Sequence, residues 1–313
     1  MISIVIPVFN EAENIKLLYE EIVSVLETIG KDYEIIFVND GSLDTTQEKI
    51  DSLFNKDSKH TLGIQLLTQS GKAAALHAGF QLAKGEIIFT LDGDLQDDPH
   101  EIPSFLKKLD EGYDLVSGWK QNRKDSFIKN NTSKIFNAVT NTISRVKLHD
   151  FNCGFKAYKS NAVKGLNLYG ELHRYIPVLV AARGYKVTEI PVHHRKRING
   201  KSKYGLLRFI HGALDIVTVM FITKFHSRPL HLFGYVGASF FTLGFLFGLY
   251  LTAAKFIRHQ GIGERPLLLF SVMLMIMGVQ IGITGLVSEQ IATMSHKNEP
   301  GYVIKTVLKE KKQ

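Results

Sequence analysis

The 313-residue sequence predicts an α/β fold, a parallel sheet wound with helices on both faces, followed by a helical membrane anchor. Two observations predict the sheet. Short, nearly continuous apolar runs recur through the first two thirds of the chain, and each ends in a polar turn that leads into an amphipathic stretch. A third predicts the anchor: from about residue 230 onward lie two apolar segments, each long enough for a bilayer core of about 30 Å.

Residues 2–9 are the first run, with the pattern of a strand buried on both faces. A helix is expected at once. Asn10 can cap it with Glu13 three residues on, Ile15, Leu18, Ile22, Val25 and Ile29 recur at spacings of three and four, and Gly30 stops it. The second strand, 33–38, ends in Asn39-Asp40-Gly41-Ser42, a turn into a helix whose first turn holds Asp44 and Thr45. Residues 63–67 read as a third strand, Ser70-Gly71-Lys72 opens a small-residue helix over 73–83, and a fourth strand spans 86–91. A helix over 99–111 and a strand over 114–117 extend the sheet, with a further helix around 133–145 and a strand over 186–192. Ligands of wound sheets sit beyond the carboxyl ends of the strands, so residues 7–11, 39–42 and 92–96 should meet along one rim.

The net charge of +8 fits nucleic acid, an anionic membrane surface or a phosphorylated substrate, and the apolar segments favour the last two. The single cysteine, Cys153, excludes an internal disulfide and a Cys-rich zinc site and fits a reducing compartment. Met1 leads straight into the first run, so no signal peptide is expected and the soluble part is expected in the cytoplasm.

The fourth strand delivers Asp92, Asp94 and Gln96 at alternate positions, which in extended chain share one face. Oxygen ligands of that kind suit Mg²⁺ or Mn²⁺, with substrate phosphates completing the shell. No G-x-G-x-x-G follows the first strand, which argues against a dinucleotide site. Gln69-Ser70-Gly71-Lys72-Ala73 lacks both the spaced glycine and the following Ser/Thr of a phosphate loop, so an ATPase is rejected. A nucleotide whose base and ribose meet carboxylates and whose diphosphate meets a metal fits better.

Val5-Ile6-Pro7-Val8-Phe9-Asn10-Glu11, Val38-Asn39-Asp40-Gly41-Ser42 and Leu91-Asp92-Gly93-Asp94-Leu95-Gln96 resemble, in that order, the inverting family 2 glycosyltransferases of GT-A fold. More narrowly the chain resembles the polyprenyl-phosphate glycosyltransferases. The likeness continues through residues 117–126, through Asp150-Phe151-Asn152-Cys153-Gly154-Phe155-Lys156, and through Gly200-Lys201-Ser202-Lys203-Tyr204-Gly205. It implies that Pro7, Phe9, Glu11 and Asp40 hold base and ribose, that Asp92 and Gly93 lie beside ribose and diphosphate, and that Asp94 and Gln96 bind the metal. Asp150 matches the family's catalytic aspartate, as base or as a residue that positions substrate. The 197–203 loop, with Arg197, Ser202 and Lys203, and the segment bearing Arg123, Lys129 and Ser133 are implied to engage donor diphosphate and lipid phosphate. The family often has arginine where Lys129 stands. A glycine-hinged loop with hydroxyl, ammonium and guanidinium groups suits that task physically. His193 and His194 are adjacent at a strand end and face opposite ways, so they are not expected to bind one ion together.

The expected domains are a cytoplasmic GT-A domain over 1–203, an amphipathic interfacial region over 204–228, a two-helix anchor over 229–295 with spans near 230–254 and 266–289, and a basic cytoplasmic tail over 296–313. Gly234, Gly237, Gly244, Gly248, Gly278, Gly282 and Gly285 would permit close helix contacts, including between subunits of a homo-oligomer. The reading is transfer of a sugar, from UDP-glucose foremost or another UDP- or GDP-sugar, onto undecaprenyl phosphate at the inner membrane. A processive polysaccharide synthase would need a Gln-x-x-Arg-Trp motif, and the sole tryptophan is Trp119. A non-enzymatic nucleotide-binding adaptor would not need its acidic stretch, and no nucleic-acid recognition motif is present.

Overall fold

Six of the expected runs and one short unexpected segment become the seven strands of one sheet, and their order fixes where the polar turns gather. The computed structural model describes residues 1–121, 140–141, 146–195, 218, 221, 229–258 and 266–296. Its strands are β1 (Ile2–Val8), β2 (Tyr33–Asn39), β3 (Thr61–Gln65), β4 (Ile87–Thr90), β5 (Leu115–Lys120), β6 (Lys156–Lys159) and β7 (Val187–Val192), in the order β3-β2-β1-β4-β6-β5-β7. β3, β2, β1 and β4 are parallel, as are β5 and β7. The all-parallel expectation fails at β6, which runs antiparallel to both β4 and β5. Lys156, its first residue, pairs with Thr90 and Ser117, so the chain enters β6 from the rim where β4 and β5 end. That reversal brings residues 150–155 to the rim.

The helices are α1 (Ile15–Ile29), α2 (Thr46–Lys56), α3 (Lys72–Leu82), α4 (Ile102–Asp110), α5 (Ser160–Val163) and α6 (Ile176–Ala182), with 3-10 turns at Pro99–Glu101 and Leu172–Tyr175. α1 buries Ile15, Leu18, Ile22 and Val25 of the stripe its spacing predicts, with Tyr19 and Leu26 beside them, while Ile29 is half-buried. It begins at Ile15, with Asn14 rather than Asn10 at the cap position. Asn10 instead takes a left-handed φ of 54°, donates its N–H to Ser42 Oγ at 2.9 Å and accepts the Leu43 N–H at 2.8 Å, tying the first rim loop to the second. β3 lies two residues earlier than its apolar pattern indicates, because its register follows β2, and Leu67 is left fully exposed. Gly79 of α3 passes so near β1 that a Cβ there would sit 2.3 Å from Val5 Cγ1. Below the rim, Phe89, Phe105 and Phe155 pack edge-on and tilted in a fully buried cluster, each worth roughly 1.5–3 kcal/mol of burial.

A second unit begins at Met220. Its described part is α7 (Pro229–Arg258) and α8 (Pro266–His296), each long and apolar enough to cross a membrane. They pack antiparallel with backbones almost touching: a Cβ on Gly237 would meet Gly278 O at 2.6 Å, and one on Gly244 would meet Ser271 O at 2.6 Å. Gly234 and Gly282 face open space. At one end Glu289 accepts the Leu230 N–H at 3.0 Å, satisfying a free donor at the start of α7. The expected interfacial region, apart from Thr218 and Phe221, and the basic tail, apart from His296, lie outside the described residues.

Candidate active site

The rim expected from the turns forms, and it is held by hydrogen bonds between loops. Pro7 and Phe9, at the end of β1, are half-buried. Glu11 accepts from Asn14 Nδ2 at 2.6 Å and donates its N–H to Thr46 Oγ1 at 2.9 Å. Asp40, buried at the end of β2, accepts the Ser70 N–H at 2.7 Å and the Gly71 N–H at 3.1 and 3.0 Å through its two oxygens. Its carboxylate therefore organises the turn that opens α3, where Gly71 holds a φ of 91°.

That turn aims Lys72 at the acidic loop. Lys72 Nζ ion-pairs with Asp92 Oδ1, and the Asp92 N–H is donated to Asp97 Oδ2 at 3.2 Å. Gly93 lies where a Cβ would approach Val8 Cγ1 to 2.7 Å, so the loop packs directly on β1. Leu95, buried, takes a φ of 61°; with Asn10 it is one of two non-glycine residues with positive φ among the described residues, and both stand on the rim. Asp94 is buried and accepts the Gln96 N–H at 3.2 Å. Gln96 is stitched to the end of β7: its Nε2 donates to Arg195 O at 3.3 Å and its O accepts the Arg195 N–H at 2.9 Å. The Arg195 guanidinium reaches Glu21 at 2.8 Å and Asp98 at 2.7 Å.

Asp150 is buried on the segment that enters β6 and accepts the Asn152 N–H at 3.0 Å. Lys156 pins that segment from below, its ammonium donating to Phe151 O at 3.3 Å and also to Cys153 O. Thr90 Oγ donates to Gly154 O at 2.7 Å. Gly154 lies against the acidic loop so tightly that a Cβ would fall 2.5 Å from the carboxylate of Asp92. Asp150 and the acidic stretch, far apart in sequence, thus share one wall. Beside it Trp119 stacks on His149 with ring centroids 4.1 Å apart, and His149 pairs with Glu189.

The floor is a charge network. Lys120 pairs with the buried Asp97 at 3.2 Å. Burial would raise the Asp92 carboxyl, but Lys72 foremost, then Lys120, hold it far below the usual carboxylate range. Burial opposes the charge of Lys120, but Asp97 foremost, together with Cys153, Asp92 and Asp150, outweighs it and raises the lysine. Lys156 is lowered by burial, with Lys72 adding repulsion. Burial likewise pushes His173 well down, and Lys72, Arg174 and Lys156 reinforce it against the opposing pull of Asp92. Cys153 is buried and pushed up to about 12, chiefly by desolvation.

Of the expected site residues, Pro7, Phe9, Glu11, Asp40, Asp92, Gly93, Asp94, Gln96 and Asp150 stand on this rim. Arg123, Lys129, Ser133, Arg197, Ser202 and Lys203 lie outside the described residues. Sequence reasoning missed Lys72, Asp97, Lys156 and His173. Only Lys72 left a signal, a lysine directly after the glycine that opens a helix. Among the described residues no three His, Cys, Asp or Glu side chains converge as a metal cage.

The glycosyl transferase family 2 model matches residues 3–166, and the model described as the GtrB C-terminal hairpin matches 228–294. Dodecaprenyl-phosphate galacturonate synthase of Rhizobium johnstonii is 36% identical over 100% of this chain and 94% of its own length. Undecaprenyl-phosphate 4-deoxy-4-formamido-L-arabinose transferase of Shewanella sediminis is 33% identical over 98% and 92%. The chain therefore belongs to glycosyltransferase family 2 and is a glycosyltransferase, in the group whose similar curated members act on polyprenyl phosphates. A solved structure with the same fold is glucosyl-3-phosphoglycerate synthase of Mycobacterium tuberculosis with Mn²⁺, UDP-glucose and phosphoglyceric acid (TM-score 0.54, 16% identity, covering 71% of this chain and 79% of that one).

Proposed function

We propose that this protein is an inverting polyprenyl-phosphate glycosyltransferase that moves a sugar from a nucleoside diphosphate donor to undecaprenyl phosphate at the cytoplasmic face of a membrane. The observation that carries this reading is the shared wall: Gly154 presses the Asp150 segment onto Asp92, in a chain similar along its whole length to lipid-phosphate sugar transferases. Pro7, Phe9, Glu11 and Asp40 form the base and ribose end. The Asp94 carboxylate and the Gln96 amide are hard oxygen donors on one loop, a donor set that fits Mg²⁺ or Mn²⁺ with diphosphate oxygens completing the shell. Bound there, the ion would stabilise charge on the departing diphosphate.

An oxygen of the lipid phosphate attacks the anomeric carbon, the bond to the diphosphate breaks, and configuration inverts. The acceptor's second pKa is about 6, so the nucleophile is already ionised near neutral pH and Asp150 serves to orient acceptor or sugar rather than to remove a proton. Arg197, Ser202 and Lys203, with Arg123, Lys129 and Ser133, are assigned to the two phosphate groups. The two apolar helices anchor the enzyme where the lipid presents its phosphate, and the glycines facing open space suit contact with a second copy.

The relatives' names favour galacturonate or a 4-modified arabinose as the sugar and lend no support to glucose, which becomes one member of the test panel. The experiment is transfer of radiolabelled sugar from UDP-galacturonate, UDP-4-deoxy-4-formamido-L-arabinose, UDP-glucose and GDP-mannose to undecaprenyl phosphate by the full chain in detergent. Metal-dependent product, lost in Asp94→Ala and Asp150→Asn, is expected. A folded chain that binds a sugar nucleotide yet yields no lipid-linked sugar with any donor would sink the reading.

A further inference from the structure

β4 ends at Thr90, and the chain turns through residues 93–95 before it reaches Gln96. Leu95, between the two expected metal ligands, holds a left-handed φ of 61°, a conformation that a side chain keeps only where its surroundings impose it. Strand alternation therefore does not set the direction of Gln96, and a partner outside the loop must. That partner is the chain just past β7. Asp97 and His194 form an isolated antiparallel bridge, Gln96 O accepts the Arg195 N–H at 2.9 Å, and Gln96 Nε2 donates to Arg195 O at 3.3 Å.

The last of these bonds decides which end of the amide is presented. A carbonyl oxygen accepts only from the amide nitrogen of Gln96, so the Arg195 carbonyl engages Nε2 and leaves Oε1, the atom able to coordinate a hard cation, turned away from it. Arg195 is fixed in turn by its side chain. Its Nη1 reaches Glu21 Oε2 on α1 at 2.8 Å and its Nη2 reaches Asp98 Oδ1 at 2.7 Å. The arginine side chain is 28% exposed and its partners 35% and 19%, so water screens these pairs less than an ordinary surface pair. Two carboxylates on separate segments suit the planar fork of a guanidinium better than the single point of an ammonium.

We propose that Arg195 is a positioning residue: tied to α1 through Glu21 and to the acidic loop through Asp98, it holds the Gln96 amide with its oxygen presented to the divalent cation. This rests on the reading of Asp94 and Gln96 as the metal's ligands. Glu21, on a helix that carries none of those ligands, then acts on the metal through Arg195.

The test reads the cation directly. Mn²⁺ binding to the full chain in detergent, with UDP or GDP present, is followed by the paramagnetic resonance signal of free Mn²⁺ for wild type, Arg195→Ala, Arg195→Lys and Glu21→Ala. Partners that orient metal ligands are worth about 10- to 100-fold in affinity, and Arg195→Ala, which keeps the carbonyl but releases it to move, should weaken Mn²⁺ about 10-fold. Arg195→Lys should recover part of the loss. Glu21→Ala should weaken Mn²⁺ about threefold in the wild-type background, and by less than about twofold once Arg195 is alanine, because the two act as one unit. In transfer assays the half-saturating Mn²⁺ concentration should rise by the same factors, whereas a merely structural loss lowers kcat and leaves that midpoint in place. Unchanged Mn²⁺ affinity in Arg195→Ala overturns the proposal, and so does unchanged affinity in Glu21→Ala, which decides alone if the arginine variant does not fold. A wild-type chain that binds no Mn²⁺ with either nucleotide overturns the metal reading and this proposal with it, while wild-type binding that neither substitution disturbs overturns this proposal alone.

Discussion

Gly154→Ala is the sharpest probe of the shared wall. Its Cβ would lie 2.5 Å from Cγ, Oδ1 and Oδ2 of Asp92, about 1 Å inside ordinary contact. Neither side yields freely, for Asp92 is held by Lys72 and by its own N–H on Asp97, and the 150–155 segment by Lys156 and Thr90. Overpacking of this kind costs about 1–3 kcal/mol, or roughly 2–10 °C in melting temperature for a unit of this size. A displacement of about 1 Å at the reacting groups costs on the order of 100-fold in kcat/KM. The assay is a double-mutant cycle with Asp92→Ala, followed by thermal melting of the full chain in detergent and by transfer rate. Once the Asp92 carboxylate is gone the clash has no partner, so Gly154→Ala should cost almost nothing further in stability, a coupling of about 1–3 kcal/mol. Stability losses that add to within about 0.5 kcal/mol would refute the contact.

Other expectations follow from the same wall. Lys156→Met leaves the carbonyls of Phe151 and Cys153 without their donor and should destabilise by about 2–4 kcal/mol while lowering turnover; an unchanged melting temperature would show that the pin is idle. Cys153, buried with its thiol pushed up to about 12, should resist a thiol-reactive dye at pH 8 in the native protein and react at once on denaturation. His173 is lowered when folded, so below its unfolded value of about 6.5 the unfolded chain binds the extra proton first. Stability from this group is then complete above that pH and falls by up to about 1.4 kcal/mol per unit as pH drops from 6.5 toward the folded value. The cations Lys72, Arg174 and Lys156 face it and Asp92 opposes them, and His173→Gln should flatten this part of the acid slope in pH-dependent melting.

Much of the rim was legible in the sequence because strands and their terminal turns are local events. The apolar runs fixed β1, β2 and β4, the spacing of Ile15 through Ile29 fixed the buried face of α1, and Asp92, Asp94 and Gln96 appeared where a strand must end. The long apolar segments near 230–254 and 266–289 announced the hairpin by hydropathy alone. What stayed hidden depends on pairing. β6 has only four residues and no apolar period, and its direction is set by the strands on either side, so the antiparallel step that carries Asp150 to the rim could not be read from residues 156–159.

Side-chain roles divide the same way. A motif shows that Asp40 and Asp92 stand at strand ends, but not that backbone N–H groups engage the first and that Lys72 engages the second. Nor does a lone lysine in a strand, or a histidine in an undistinguished turn, reveal that it will lie under a site assembled from segments some eighty residues apart. The sequence by itself determined which elements form and which chemical groups their ends present, because those follow from short-range periodicity and residue chemistry. Only the tertiary structure decided which of those groups meet, because contact across a sheet depends on strand order and direction, and no local pattern encodes either.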